Sequence, residues 1–367
     1  MQGIAGGASA EGTRRFAARG ERARLPAAHF RTAPGGLTLT SLGLGTYIGR
    51  PDARTDAAVE EAVRVSVSSG RINVLDTAIN YRYQRAERSV GRALAALLGD
   101  GRVAREELFV ATKAGYLAPD ADLGLDPERY VKEVLLAGGA LDARDIVDGS
   151  HAMSPTYLAD QLERSRRNLG LRTIDLFYLH NAPDAQLPSV GPDEFRERLR
   201  RAFELLERRR ADGAIGSYGL ATWDSLRVPS PDPRHLELEA VVDLAREIGG
   251  SAHGFRFVQF PFSVAMPEAA HLRSQTVGGR PRTLFAAAAE LGLGVFTSVP
   301  LHQGQLARAG PSVEGLSPAQ SALQFARSAP GTLAALVGQK RAEHLAENLQ
   351  VAGLEPWPES TFRQLLR

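Results

Sequence analysis

The sequence predicts a closed (β/α)8 barrel, and two observations favour this fold class. Short β-rich runs alternate with longer helical runs, giving eight strand–helix pairs along the 367 residues. Repeated βα units imply parallel strands joined by right-handed crossovers. Eight such units over about 320 residues suit a barrel, which usually takes ~250 residues plus insertions. A doubly wound open sheet is the structural alternative.

The strands and helices are predicted from apolar runs and their periodicity. The predicted strands cover residues 42–46, 72–76, 108–113, 174–180, 215–221, 255–259, 294–298 and 333–337. The predicted helices cover residues 56–69, 85–98, 155–169, 193–212, 235–248, 282–291, 318–328 and 341–351.

Start and stop signals support the helix boundaries. Ser154 and Ser317 each place a capping hydroxyl before a proline at the first helical position. Ser317 and Gln320 also fit a capping box. Four glycines follow helices as stop signals: Gly70, Gly170, Gly213 and Gly292.

Three segments lie outside this βα rhythm. Residues 116–153 and 260–281 follow the third and sixth strands, on the side where barrel loops build active sites and lids. Residues 37–42, with Gly35 and Gly36, predict a small hairpin that seals the opposite mouth. Residues 1–34 are expected to form an irregular N-terminal arm, ahead of a single barrel domain over residues 35–367.

The composition is typical of a soluble globular protein, with 43% hydrophobic and 23% charged residues. The absence of cysteine excludes disulfides and thiolate chemistry. A formal net charge of +2, with acids and bases interspersed, gives no sign of nucleic-acid binding. No apolar run approaches the roughly 20 residues of a membrane span, and no secretory signal is visible. We expect a cytoplasmic protein, with an Arg-rich organelle address as the alternative; the sequence does not indicate an oligomeric state.

Polar residues end three consecutive predicted strands. Asp76 ends the second strand, with Tyr81 just beyond it, Lys113 ends the third and His180 the fourth. Because adjacent strands lie about 4.8 Å apart, these side chains can converge at the C-terminal rim. Taken singly, each has an ordinary explanation as a cap, a solvated rim residue or a core histidine. A metal site would compete for Asp76 and His180, but the chain has no Cys and no close His pair, so none is expected.

Together the four residues suit acid–base chemistry. A Tyr phenol has a pKa of about 10, and the ammonium of Lys113 would lower it. Asp76 would hold Lys113, and His180 would bond the phenol oxygen. Such a Tyr is a general acid for an oxygen that gains electrons, as in a carbonyl reduced by hydride.

Seven motifs resemble the aldo-keto reductases in chain order and spacing. They are LGLGTYIG, LDTAINY followed by E–RSVGRAL, FVATKAG, NLGLRTIDLFYLHN, VQFPFS, SVPLHQGQL and VGQKRAEHLAENL, over about Gly36 to Gly353. The His180–Asn181 pair and the long insertion after the third strand resemble a bacterial branch of the family. The resemblance implies a TIM barrel that uses NADPH, sometimes NADH, to reduce an aldehyde or ketone to an alcohol, or the reverse. It makes Tyr81 the proton donor, with Asp76, Lys113 and His180 as partners.

The resemblance also implies contacts to NADP(H), with NAD(H) as the alternative. Gln259 matches a family Gln that holds the nicotinamide amide, and Thr222 keeps one hydroxyl where the family has a Ser-Asn pair. Ser298 stands where the family often places a stacking Tyr, and Arg82 where a Gly is common. Further contacts are expected from Thr46, Tyr47, Leu301, Gln303, Gly304, Leu306 and Gly338.

The start of the eighth helix is expected to meet the adenosine end of the cofactor. A helix N-terminus with basic side chains suits a phosphate, so Lys340, Arg341 and His344 could meet a 2′-phosphate. Glu347 and Asn348 resemble the adenine contacts of the family. This favours NADP over NAD, unless Lys340 and Arg341 are merely solvated.

Four βα-loop residues could line a substrate pocket: His151, Asn181, Trp223 and His302. The ordinary alternatives are that Trp223 plugs the barrel top and that His151 lies on the surface. The departures at Ser298 and Ala221 motivate two other functions. One is a non-redox or cofactor-retaining proton-transfer enzyme on the same barrel. The other is an NADPH-binding regulatory subunit, since fold alone never fixes function.

Overall fold

Eight parallel strands close into a barrel in the computed structural model, which describes residues 3–311 and 313–366. Ala335 on the last strand pairs with Leu42 on the first, which closes the sheet and excludes the doubly wound alternative. The predicted fold class is therefore confirmed. The strands are β1 Leu42–Gly45, β2 Val74–Asp76, β3 Phe109–Ala114, β4 Ile174–His180, β5 Ile215–Ala221, β6 Phe255–Pro261, β7 Gly294–Ser298 and β8 Thr332–Val337.

Eight helices alternate with these strands. They are α1 Ala53–Ser68, α2 Arg85–Gly99, α3 Pro155–Leu169, α4 Pro192–Ala211, α5 Leu238–Gly249, α6 Leu284–Glu290, α7 Pro318–Ser328 and α8 Ala342–Val351. The capping box of Ser317 and Gln320 is confirmed at α7. At α3 the predicted positions of Ser154 as N-cap and Pro155 as first helical residue are confirmed, but the Ser154 side chain makes no capping hydrogen bond.

The barrel interior is filled by side chains, as in other barrels of this size. Phe109 packs against Phe257 and Phe296, with ring centroids 5.5 Å and 5.8 Å away. Ala33 and Leu39 of the N-terminal hairpin pack into the same cluster. This hairpin pairs Phe30–Thr32 with Thr38–Thr40 in antiparallel register, so its prediction is confirmed.

The expectation of an irregular arm over residues 1–34 is wrong. Ala10–Arg22 form a helix, whose N-terminus is capped by Ser9 Oγ accepting from the Gly12 N–H at 2.9 Å. Phe16 is fully buried in the main core, and Gly20 lies directly against the Phe30 ring. Packing of a narrow apolar stripe, rather than intrinsic propensity, stabilises most helices in proteins. The many arginines around Phe16 hide that stripe in the sequence.

Both long βα insertions have structure of their own. The insertion after β3 contains a helix Pro127–Tyr130 that continues as a π-helix Val131–Leu136, and it builds a small core around Tyr130, Leu135 and Tyr157. The segment after β6 contains the helix Glu268–His271 and a hairpin of Gln275–Val277 with Arg280–Arg282. Three other short helices are Ala182–Val190, Leu306–Ala309 and Glu359–Leu365. No helix among the described residues is long and apolar enough to cross a membrane.

Candidate active site

A cavity of about 1340 Å³ opens at the carboxyl ends of the strands, where (β/α)8 barrels place their active sites. Its wall includes the residues that end β2, β4, β5 and β7: Asp76, His180, Ala221 and Ser298. Within residues 3–311 and 313–366, no group of three or more His, Asp or Glu side chains could hold a metal ion.

The structure brings Asp76, Tyr81, Lys113 and His180 together: Asp76, Tyr81 and His180 line the cavity, and Lys113 is buried against Asp76 and Tyr81. Lys113 Nζ donates to Asp76 Oδ2 at 2.6 Å and lies 3.4 Å from Tyr81 Oη. Lys113 Nζ also donates to the carbonyl of Thr77 at 2.9 Å. The Tyr81 and His180 rings lie edge to face, with centroids 5.6 Å apart. The ammonium is thus fixed on three sides, with the phenol oxygen as the neighbour that faces the cavity.

Burial dominates the electrostatics of these groups. Burial raises the pKa of Tyr81 well above its usual value, and the charge of Asp76 adds to that rise. The prediction that Lys113 lowers the pKa of Tyr81 is therefore wrong in direction: the phenol stays protonated at neutral pH. Burial lowers the pKa of His180 well below its usual value, and the Lys113 charge reinforces this, so the imidazole is neutral.

Burial and pairing oppose each other in the Lys113–Asp76 ion pair. Burial lowers the pKa of Lys113 while Asp76 raises it. Burial raises the pKa of Asp76 while Lys113 lowers it. Lys113 Nζ and Asp76 Oδ2 lie 2.6 Å apart, so each charge depends on the other. Removal of either side chain leaves a buried charge without its partner.

His151 lies behind His180 rather than in the cavity. It is fully buried, and its Nε2 donates to the carbonyl of His180 at 2.9 Å. Gln186 Nε2 donates to His151 Nδ1 at 3.0 Å, which completes the neutral tautomer. This corrects the prediction that His151 lines the substrate pocket, and it is not on the surface either. Burial lowers the pKa of His151 to about 4.

Most residues predicted to touch the cofactor lie in the cavity wall. Gln259 Nε2 donates to Asp76 Oδ1 at 3.1 Å, so this amide is anchored to the tetrad. The other wall residues from the predicted set are Thr46, Tyr47, Thr222, Ser298, Leu301, Gln303, Gly304, Gly338, Lys340, Arg341, His344, Glu347 and Asn348.

Besides Lys113 and His151, two further predicted residues lie outside the wall. Leu306 is buried, and His302 is set apart from the cavity although Leu301 and Gln303 belong to it. Successive residues of a short helical turn point in different directions, so a contiguous motif does not place all its members on one face.

The part of the cavity wall just before α8 is basic. Lys340 and Arg341 also line a second cavity of about 930 Å³, together with Arg50 and Arg54. The same cavity is lined by Asp52 and Glu343, so its four basic side chains face two carboxylates and the lining keeps a net positive charge, which favours an anion there. Burial lowers the pKa of Lys340, and nearby Arg82 and Arg341 charges add to this. Arg50 and Arg54 were not among the predicted site residues; Arg50 lies in the loop after β1 and Arg54 in the first turn of α1, and their position just after the first strand was the available signal.

The outer mouth of the cavity is aromatic and partly apolar. Tyr47, Ile48 and Trp223 line it and are 59%, 50% and 38% exposed. Asp184, which the sequence analysis also missed, accepts the backbone N–H groups of Trp223, Asp224 and Ser225 at 2.6–2.9 Å. Asp184 thereby fixes the loop that carries Trp223.

Asn181 lies in the wall beside a further residue that the sequence analysis missed, Tyr116. Asn181 Nδ2 donates to Tyr116 Oη at 3.1 Å. The Tyr116 ring lies edge to face with both His180 and His151, with centroids 5.1 Å and 5.3 Å away. The FVATKAGY motif carried this tyrosine three residues after Lys113.

Solved structures share this fold. An aldo-keto reductase from Bacillus halodurans in its holo form is 19% identical with a TM-score of 0.60, over 92% of this chain and 94% of its own. An aldo/keto reductase from Klebsiella pneumoniae, in complex with NADP and acetate, is 19% identical with a TM-score of 0.58, over the same shares. A thermostable aldo-keto reductase in complex with the inhibitor epalrestat is 16% identical with a TM-score of 0.60, over 92% of this chain and 98% of its own.

Comparison with curated protein sequences gives no match. A sequence model described as the aldo/keto reductase family matches residues 41–242, more than half of the 367-residue chain. The matched span contains β1 to β5 and the residues Asp76, Tyr81, Lys113 and His180. The chain belongs to the aldo/keto reductase family.

Proposed function

We propose that the protein is an NADPH-dependent oxidoreductase that reduces an aldehyde or ketone to an alcohol, or catalyses the reverse reaction. The observation that carries the proposal is the Tyr81 phenol in the cavity wall, 3.4 Å from the buried ammonium of Lys113. The phenol carries its proton at neutral pH, which is the form that a general acid needs. Because burial raises its pKa, release of that proton depends on the Lys113 ammonium, which would stabilise the phenolate.

The roles of the tetrad follow from this geometry. When bound, NADPH would supply the hydride. Tyr81 would donate its proton to the carbonyl oxygen, and the phenolate left behind would be stabilised by Lys113. Asp76 keeps Lys113 charged and in place through the 2.6 Å ion pair. The neutral imidazole of His180, edge to face with the Tyr81 ring, would orient the substrate oxygen.

Two orphaned side-chain atoms support a dinucleotide in the cavity. Thr222 Oγ1 and Asn348 Nδ2 are buried without a hydrogen-bond partner among the described residues, yet both residues line the cavity. A buried polar group usually finds a partner, and a carboxamide and an adenine would supply one each. Thr222 and Gln259 would hold the carboxamide, and Asn348 the adenine.

The basic end of the cavity favours NADP over NAD. Lys340 and Arg341 stand between the two cavities, with Arg50 and Arg54 close by, where a 2′-phosphate would meet them. The Klebsiella pneumoniae enzyme is described in complex with NADP, which supports the same cofactor here.

A non-redox or cofactor-retaining proton-transfer reaction, or a regulatory NADPH-binding role, is the second candidate. The observation that favours it is Ser298 in the cavity wall, which cannot stack on a nicotinamide. Titration with NADPH, followed by protein fluorescence, separates the candidates. Absence of binding at millimolar concentration would favour a non-redox role, and binding without reduction of any carbonyl would favour a regulatory one.

The Tyr81→Phe variant tests the proposal. It removes one hydroxyl, and we expect kcat to fall about 10²- to 10⁴-fold on a panel of aldehydes and ketones, the usual share of a general acid. The dissociation constant of NADPH should stay within about twofold, since the ring is kept. The matched control is Tyr83→Phe, whose side chain is 42% exposed and should leave turnover unchanged. Turnover that survives Tyr81→Phe would remove Tyr81 as the acid.

A further inference from the structure

Three consecutive residues after Tyr81 have left-handed backbone conformations. The φ angles of Arg82, Tyr83 and Gln84 are 51°, 54° and 71°. None of the three is glycine or asparagine, the residues that adopt this conformation readily. Such a conformation costs free energy at each residue and persists only where surrounding contacts hold it. Contacts with other parts of the protein must therefore hold residues 82–84, which follow the proposed acid, in this conformation.

Arg82 ties this segment to two helices. Its Nη1 donates to Asp56 Oδ1 on α1 at 2.5 Å, and its Nη2 donates to Ser89 Oγ on α2 at 3.1 Å. The Arg82 and Asp56 side chains are only 1% and 8% exposed. A buried ion pair in which the guanidinium makes two hydrogen bonds permits little displacement of the backbone that carries the arginine.

Gln84 ties the same segment to the insertion after β3. Its Nε2 donates to the carbonyl of Ala118 and to Tyr130 Oη, both at 3.2 Å. The carbonyl of Tyr83 accepts from the Ala121 N–H at 3.2 Å. The insertion thus holds the backbone that leads out of Tyr81 through contacts separate from the Arg82–Asp56 ion pair.

We propose that Arg82 and Gln84 are positioning residues, which hold the Tyr81 hydroxyl at its 3.4 Å distance from Lys113 by anchoring the left-handed segment to α1 and to the insertion. Tyr81 lies on a loop beyond β2, and its backbone is held mainly by bonds to Ala78 and Ala86 at 3.0 Å and 3.4 Å. A misplacement of about 1 Å can cost 10²-fold in rate. The consequence for catalysis rests on the proposed function.

The backbone alone does not explain an arginine at this position. Glycine would adopt a φ of 51° without strain, and Gly is common there in the family. What Arg82 adds is the buried ion pair with Asp56. Its aliphatic part also packs under the loop after β1, where a Cβ on Gly49 would lie 3.2 Å from Arg82 Cδ. The ion pair is thus the feature to remove.

The Arg82→Gly variant removes the anchor and relieves the strain, and Asp56 keeps Arg85 as a partner at 2.7 Å. We expect kcat at saturating NADPH to fall roughly 10- to 100-fold, because the acid is displaced. Saturation separates this loss from any change in NADPH affinity that follows from removing a charge near Lys340. Hydrogen–deuterium exchange of the peptide over residues 80–86 should become faster. Arg82→Lys, which keeps the charge but not both hydrogen bonds, should recover part of kcat.

The matched control is Arg92→Gln. Arg92 lies 3.6 Å from the same carboxylate of Asp56, but its side chain is 50% exposed and it follows the left-handed segment by eight residues of helix α2. We expect kcat and the exchange of residues 80–86 to stay within about twofold of the wild type, since exposed charges contribute little. Gln84→Ala tests the second anchor, with an expected fall in kcat of about 10-fold, should Arg82→Gly fail to fold.

The outcomes separate this proposal from the proposed function. Unchanged kcat, or unchanged exchange over residues 80–86, in folded Arg82→Gly or Gln84→Ala would overturn the positioning role. An equal loss of kcat in Arg92→Gln would also overturn it, because a general effect of charge would then suffice. If the wild type reduced no carbonyl, the proposed function would fail, and the exchange measurement alone would still decide whether Arg82 anchors the segment.

Discussion

At the residue scale, Ser298 is the departure with the most direct consequence for cofactor binding. It ends β7 in the cavity wall, half-buried, where the family often places a tyrosine. We expect Ser298→Tyr to lower the dissociation constant of NADPH roughly 2- to 12-fold, since a stacked aromatic contact contributes about 0.5–1.5 kcal/mol. Fluorescence titration measures this.

The matched control for Ser298→Tyr is Ser298→Leu, which adds apolar bulk without an aromatic face. It should improve NADPH affinity less than the tyrosine does. Equal affinities for the two variants, or weaker binding by the tyrosine variant, would contradict a nicotinamide that lies against this position.

Single residues differ in how far the sequence predicts them. The convergence of Asp76, Lys113 and His180 could be predicted, because parallel strands bring their carboxyl ends to one rim. The pKa of Tyr81 was predicted in the wrong direction, because its burial depends on side chains from distant parts of the chain. The position of His151 behind His180 was hidden for the same reason: 29 residues separate them in sequence.

At the element scale, the insertion after β3 leaves the barrel at Gly115, and its other end packs back against this residue at a point that only glycine fits. Gly115 has a φ of 151°, and a Cβ there would lie 2.4 Å from His151 Nε2 and 2.9 Å from the His180 carbonyl oxygen. The added methyl group would break the hydrogen bond between those two atoms. We expect Gly115→Ala to lower the free energy of unfolding by about 1–3 kcal/mol, the usual effect of overpacking, measured by urea denaturation.

The matched control for Gly115→Ala is Gly99→Ala at the end of α2, where a Cβ would meet nothing within 4 Å. The same substitution should there be neutral, or stabilising by up to about 1 kcal/mol through helix propensity. Equal destabilisation by the two variants would show that crowding at His151 is not the cause.

The predicted bounds were most accurate for strands and helices that are flanked in sequence by other regular elements. The bounds of β4, β5, β7, α3 and α7 agree with the prediction at both ends. The helix Ala10–Arg22 was missed because the contacts that stabilise it are tertiary: Phe16 enters the main core and Ser9 caps it locally. Propensity and periodicity in 13 arginine-rich residues contain little of that information.

At the scale of the whole molecule, the barrel was predictable because one repeated unit determines it. Eight βα pairs can close in parallel only if all crossovers share one hand. The insertions were predictable in position but not in structure, since the π-helix Val131–Leu136 and the small core around Tyr130 arise from long-range packing. The hydrogen bonds that join this insertion to Tyr83 and Gln84 therefore lie beyond what the sequence indicates.

Buried imidazoles make the stability of the whole molecule sensitive to acid. Burial lowers the pKa of His29 to about 3 and that of His151 to about 4. An unfolded histidine titrates near 6.5. Between these values the unfolded chain binds a proton that the folded chain does not, so the free energy of unfolding falls as pH decreases below about 6.5. Each group contributes up to about 1.4 kcal/mol per pH unit in that range.

His29 allows this contribution to be isolated. Its Nε2 donates to the carbonyl of Arg71 at 2.8 Å, and its Nδ1 accepts from Ser41 Oγ at 2.9 Å, so protonation would remove an acceptor at a buried site. We expect His29→Gln to be less stable than the wild type at pH 7, with a difference that shrinks by about 2 kcal/mol at pH 5. Urea denaturation at both pH values measures it. The exposed His271→Gln serves as the control for the substitution itself, and it should change the free energy of unfolding at pH 7 by no more than about 0.5 kcal/mol. A His29→Gln difference that is constant or grows on acidification would show that His29 does not carry this penalty.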